Sequence, residues 1–244
     1  MRFNLFINAV CCAALAGMSA CCVMNKLDNS PHTIILKPDG TGTPVTIAIT
    51  KGPDWSQRMQ AGPFVFNILP QIVIWTETMD GRLLKTLYIT GADYKKFNHA
   101  GKGKKGAAFY AECFPVWAGR MKSAGQSLPS KEAPYTDAVT SATPMSSFSV
   151  RSIVPSDTAP YSIFCEINKS GDVNETYTKE NNDWVGQPSL IYRVTTAPGG
   201  PKGPLKMELA GHGGRLRDNP AIYPDVSGFT TALRQVEAIV VNFE

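Results

Sequence analysis

Gln71-Ile72-Val73-Ile74-Trp75-Thr76-Glu77, then Asp80-Gly81, then Leu83-Leu84-Lys85-Thr86-Leu87-Tyr88-Ile89-Thr90 is the stretch that decides the fold class. Two apolar, β-branched runs flank an Asp-Gly pair, and that dipeptide favours the tight turns whose twist matches paired strands. The stretch therefore predicts a β-hairpin. Outward from it the same pattern recurs. His32-Thr33-Ile34-Ile35-Leu36 is apolar and β-branched, and Val45 to Thr50 alternates at the strand period. Ser147 to Val150, Tyr161 to Asn168, Ser189 to Val194, Leu205 to Leu209 and Ala238 to Phe243 read as further strands. Only Thr230 to Val236 carries helical spacing, for one or two turns. Many short strands with Pro/Gly turns predict an all-β fold. The expected form is a two-sheet, immunoglobulin-like sandwich with irregular loops and at most one short helix. Trp75, Leu84, Val150, Phe164, Leu190 and Val240 are its expected core.

The N-terminus carries an address. Met1-Arg2-Phe3-Asn4 is followed by an apolar run from Leu5 to about Met18, then Ser19, Ala20 and Cys21. A charged start, a short apolar stretch and small residues before a cut site describe an export signal. The run is shorter than the ~20 residues of a membrane span. Met18-Ser19-Ala20-Cys21 resembles the lipobox of bacterial lipoproteins, which implies lipid on Cys21. The alternative is ordinary cleavage that frees the chain into the periplasm. Residues 1–20 then form a signal peptide, 21–31 a tether, and 32–244 one β-sandwich domain. Cys22 stands where Asp would imply inner-membrane retention, so the outer membrane is the expected site.

Six cysteines and a formal net charge of +4 bound the rest. Beyond Cys21 and Cys22 the exported part keeps only Cys113 and Cys165, each with apolar flanks. In an oxidising compartment they could pair, closing a loop of roughly fifty residues worth about 4 kcal/mol; equally, they could be two separate buried thiols. No Cys/His spacing matches a structural zinc site. Lys95 to Lys105 is a basic, glycine-containing loop that could meet an anionic partner or simply be solvated. Nothing matches a nucleic-acid module.

Tyr135-Thr136-Asp137-Ala138-Val139-Thr140-Ser141-Ala142-Thr143-Pro144 is rich in turn formers. Pro144 biases Thr143 toward extended geometry, and Ala142 adds no bulk beside its hydroxyl. The expectation is a surface loop that presents Thr143. The stretch resembles the attachment motif of proteins that carry covalent flavin mononucleotide: Asp, two variable residues, Ser or Thr, Gly, Ala, Thr. Asp137, Thr140, Ala142 and Thr143 match, and Ser141 replaces glycine. In that group a magnesium-dependent flavin transferase outside the cytoplasm modifies the last threonine, so the resemblance implies FMN on Thr143. Alternatively, the stretch is an inter-strand turn.

A wider resemblance joins several segments: Pro70 to Trp75 with Asp80-Gly81, Phe114-Pro115-Val116-Trp117, Asp137 to Pro144, Gly186 to Tyr192, Gly211 to Gly214 and Ser227 to Leu233. Together they are similar to a family of secreted bacterial proteins, domain of unknown function 2271. The resemblance implies an extracytoplasmic setting and an association with flavin-based electron transfer, with a redox partner protein. It implies no catalytic residues, and a redox carrier or accessory protein is expected rather than an enzyme. The alternative is a non-catalytic binding module of an envelope assembly. Among other residues, His212 between glycines could hold an anion, and Trp117 or Trp184 could stack on a flavin ring or fill the core. Ser162 and Ser189 have no alignable His/Asp partners, which argues against a serine hydrolase.

Overall fold

Alternation in Thr43–Lys51 (β2) sends Val45, Ile47 and Ile49 into the interior and their neighbours outward, and the rest of the architecture is assembled around that face. The computed structural model describes residues 32–35, 41–90, 107–130, 133, 140–141, 143–154, 160–196, 203–215 and 219–244. Residues 31–244 form one unit. In the first sheet, His32–Ile35 (β1), Phe148–Val154 (β8), β2, Val236–Phe243 (β14) and Leu205–Lys206 (β11) lie side by side in that order. The second sheet has seven strands. Its order is Ile222–Tyr223 (β13), Glu208–Gly213 (β12), Leu190–Thr196 (β10), Tyr161–Asn168 (β9), Gln71–Thr78 (β5), Leu83–Thr90 (β6) and Thr140–Ser141 (β7). Among the described residues, Gln57–Ala61 (β3) and Phe64–Ile68 (β4) pair only with each other.

The expected all-β sandwich is what the chain forms. Ile47, Ile49, Val150, Ile239 and Val241 of the first sheet pack against Ile72, Ile74, Ile163, Cys165 and Ile167 of the second. The Asp80-Gly81 hairpin joins β5 to β6, and Gly81 takes φ 83°, which only glycine adopts without strain. Leu84 and Leu87 are extra residues on β6, unpaired at two breaks in its register with β5; Leu87 belongs to the inter-sheet core and Leu84 packs on its edge.

Trp75, Val150, Phe164 and Leu190 are buried as expected. Val240 is not a core residue. The face of β14 that enters the core carries Val236, Ile239 and Val241. Val240 and Val241 are alike in shape and polarity, so the sequence holds no signal for which of the two faces inward.

The larger departure is a helical layer. Ala107–Cys113 (α1) and Pro115–Ser123 (α2) lie on the outer face of the seven-stranded sheet. Tyr110, Phe114, Val116, Trp117 and Met121 meet Val73, Trp75, Ile89, Phe164 and Ile191 there. Trp75 and Phe164 stack at 5.3 Å with 11° between their planes. Pro115 breaks the helix because it has no amide to donate, and it opens α2 where that loss costs nothing. Both faces of the sheet are thus covered, which is why every residue of β9 is buried. A further single turn, Lys179–Asn182 (α3), is closed by a capping box between Thr178 and Asn181. Thr231–Arg234 forms the expected short turn of 3-10 helix. No helix among the described residues is long and apolar enough to cross a membrane.

Candidate functional site

The two residues of β7 pair in parallel with the edge of β6, Thr140 beside Ile89 and Ser141 beside Thr90. That pairing brings Thr143 under the start of β5. Its hydroxyl donates to the Pro70 carbonyl at 2.5 Å and lies 3.3 Å from the Thr90 hydroxyl. Thr90 Oγ1 in turn accepts the Ile72 amide at 2.9 Å. With its proton committed to Pro70, Thr143 can only accept from Thr90. The following residues are tied down as well. Trp55 Nε1 donates to the Pro144 carbonyl at 2.9 Å, and the Lys51 amide donates to Ser147 Oγ at 3.1 Å.

This corrects the expectation of a presented hydroxyl: Thr143 is 6 % exposed. The physical reason lies in Pro70, a buried residue just before β5 whose carbonyl needs a donor. Thr143 supplies it and seals the junction of β5, β6 and β7. Trp55 and Tyr110 stand nearby, as an aromatic platform would, but both are buried and each spends its polar atom on this junction. Cys21, Asp137 and Ala142 lie outside the described residues, as does the basic loop 95–105; of Thr140 and Ser141 the backbone pairing is described.

The disulfide alternative is also corrected. Cys113 and Cys165 are free thiols in different cores. Alternation along β9 turns Cys165 inward with Ile163 and Ile167, whereas Cys113 ends α1 on the opposite face of the sheet. Burial pushes both thiols above their ordinary range, so neither is a ready thiolate nucleophile.

Sequence reading missed two carboxylates under α2. Glu166 is completely buried and accepts the Val116 amide at 3.3 Å, the Trp117 amide at 2.9 Å and the Ser189 hydroxyl at 2.6 Å. Burial pushes its pKa up to about 7, against the opposing pull of these donors. Glu77 accepts Trp75 Nε1 at 2.6 Å and Arg120 Nε at 2.9 Å. Its pKa is also raised, again chiefly by burial. One carboxylate holds the first turn of α2 and the other holds Arg120 near its last, while Trp117 Nε1 donates to Thr86 Oγ1 at 3.0 Å. The signal was present as a lone Glu in each of two otherwise apolar strands. Nothing in the sequence marked a second layer for these carboxylates to hold.

Ser189 lines a cleft of about 270 Å³ together with Glu112, Asp183, Trp184, Gly214 and Arg215. Asp183 holds φ 50° there, outside the range most residues prefer. Trp184 Nε1 donates to Glu112 Oε2 at 2.9 Å, and Trp184 packs with the helical layer, as Trp117 does. Ser162 shares its hydroxyl with Thr195 at 2.9 Å. His212 lies in β12, paired with Tyr223 of β13. Its ring sits 5.4 Å from that of Tyr223 and 5.0 Å from that of Phe229, with Nδ1 at the Gly213 carbonyl. Segments 186–192, 211–214 and 227–233 meet around Leu190, Phe229 and Ala232, tied by Gln187, whose Oε1 accepts the Thr230 amide at 2.8 Å. Among the described residues no three His, Cys, Asp or Glu side chains converge as metal ligands.

No family model, no curated protein and no solved structure matches the chain.

Proposed function

We propose that the chain is an extracytoplasmic lipoprotein, held to a membrane through Cys21, whose sandwich is a non-catalytic binding or accessory module of an envelope assembly. The observation that carries this reading is the commitment of the reactive side chains. Thr143 donates to Pro70, Ser189 donates to Glu166, and both thiols are buried. Each of these side chains is buried, and although Ser189 lines the cleft beside Trp184, its proton is held by Glu166.

The second reading is a redox accessory that carries covalent FMN on Thr143 and serves a flavin-based electron-transfer system. It is favoured by the motif itself and by the position of β7 at a sheet edge, where two ladder residues could part from β6. A flavin transferase would have to align the Thr143 hydroxyl for attack, which requires breaking its bond to Pro70 first. Coexpression with a competent transferase separates the two readings. In-gel flavin fluorescence that disappears in Thr143→Ala supports the second. A dark band in both the parent and Ser141→Gly, with intact protein in the membrane fraction, supports the first.

A further inference from the structure

The β3–β4 hairpin belongs to neither large sheet. Its base is fixed: Gln57 pairs with Ile68, Ile68 is buried, and Met59 packs beside Gly171. Its tip is not covered. The turn is Gly62-Pro63, Phe64 is 73 % exposed and Val65 is 49 % exposed. From Met59 to Thr76 the sequence contains no charged residue. At the base Arg58 is exposed opposite Asn67, while Arg234 is neutralised by Asp54 at 2.7 Å.

The register shows which end of the sandwich this is. His32 pairs with Phe148, and Phe148 pairs with Ile49, so the start of β1 lies level with the end of β2. β2 runs on through 52–56 into β3. The chain therefore comes into the sandwich at the end from which the hairpin leaves.

We propose that this hairpin is a membrane-contacting finger, with Phe64 and Val65 inserted at the headgroup–acyl boundary of the bilayer that holds the lipid on Cys21. The proposal rests on that lipid anchor. The stretch 22–31 spans at most ~35 Å even when fully extended, so the hairpin end of the domain is confined near the surface at high effective concentration. A tether alone leaves the orientation open, and an apolar tip with the exposed Arg58 at its base selects it. Apolar side chains favour the boundary, and Arg58 meets anionic headgroups. A bilayer fits this shape better than a protein does, because a two-residue convex turn cannot supply the ~800 Å² per partner of a stable interface.

The test uses full-length lipidated protein carrying F64W, in vesicles of phosphatidylethanolamine and phosphatidylglycerol with brominated phosphatidylcholine as quencher. The native indoles of Trp55, Trp75, Trp117 and Trp184 are buried, so the parent gives a baseline that the bromines do not reach. The added indole is expected to emit to the blue of a water-exposed one and to be quenched by the brominated lipid. Val65→Asp in the same background should return its emission to that of water. Unquenched, water-like emission from F64W in protein that still floats with the vesicles overturns the finger and leaves the anchor standing. Parent protein that does not float overturns both. A blue shift without quenching, accompanied by concentration-dependent sedimentation, means that a second copy covers the tip, and it overturns the proposal too.

Discussion

Trp117 donates its amide to Glu166 at 2.9 Å, so a carboxylate rooted in the middle of a sheet caps a helix lying across it. An N-cap normally comes from the residue just before the helix. Here Phe114 holds that position and offers no side-chain bond. The acceptor is borrowed from β9, 49 positions away in sequence. This makes the helical layer a tertiary feature, stable only when docked.

Glu166 should make the protein less stable as pH rises across the mildly acid range. Its folded pKa is about 7 against an ordinary 4.5. The folded state therefore binds the proton more tightly, and the associated stabilisation is fully present below 4.5 and lost as pH passes through 7. The shift corresponds to about 3 kcal/mol. Glu166→Gln keeps an acceptor for the amides and has no proton to lose. Urea midpoints of parent and variant at pH 5 and pH 8 check this. An equal change in both proteins would remove Glu166 as the source.

Thr143→Ala should destabilise the fold by about 1–2 kcal/mol, because it leaves the buried Pro70 carbonyl without its donor. Thr143→Ser keeps the hydroxyl and should lose much less. Chemical denaturation of the three proteins is the measurement. A neutral alanine variant would mean that water replaces the hydroxyl and that the junction is not sealed.

Gly213→Ala should be worse tolerated than its size suggests. A Cβ there would stand 2.5 Å from Ser189 Oγ and 2.8 Å from Pro115 Cγ, with Glu166 Oε1 at 3.2 Å. Three fixed partners cannot all move aside, so a loss of about 1–3 kcal/mol is expected. If the thermal midpoint is unchanged, the packing between β12 and α2 is looser than these distances imply.

Cys113 and Cys165 should both take a maleimide label after unfolding without reductant, and neither should react in the folded protein. Intact mass reads this directly. A product lacking both labels until reductant is added would require the two faces of the sheet to exchange residues, and would refute the assignment of two cores.

Cys21→Ala should move the protein from the membrane to the soluble fraction, since each acyl methylene buried in lipid contributes ~0.8 kcal/mol. Fractionation of cells expressing parent and variant decides it. Retention of the variant on the membrane would defeat lipid attachment at this residue.

The hairpin from Gln71 to Thr90 was legible because turn chemistry and alternation agree along it. Ser147 to Val150 and Tyr161 to Asn168 were legible for the same reason. Val240 was not, because its neighbour Val241 is an equal competitor for the inner face. The helices 107–113 and 115–123 left little trace because α2 is buried on most sides and lacks a polar stripe, with Pro115, Val116, Trp117, Ala118, Gly119 and Met121 all inside. Gly119 even approaches the Pro220 backbone too closely to admit a Cβ. Thr143 illustrates a different limit. Thr140 and Ser141, turn formers by composition, are strand residues, and composition carries no information on whether the Thr143 hydroxyl faces water or a proline carbonyl.

The sheets of this sandwich end in very short strands: β7, β11 and β13 have two residues each, and β1 has four. A long bare edge invites a neighbouring molecule to add its own strand. That hazard grows with the local concentration of chains. Among the described residues, the outermost strands of the two large sheets offer a neighbour's strand a template of at most four residues.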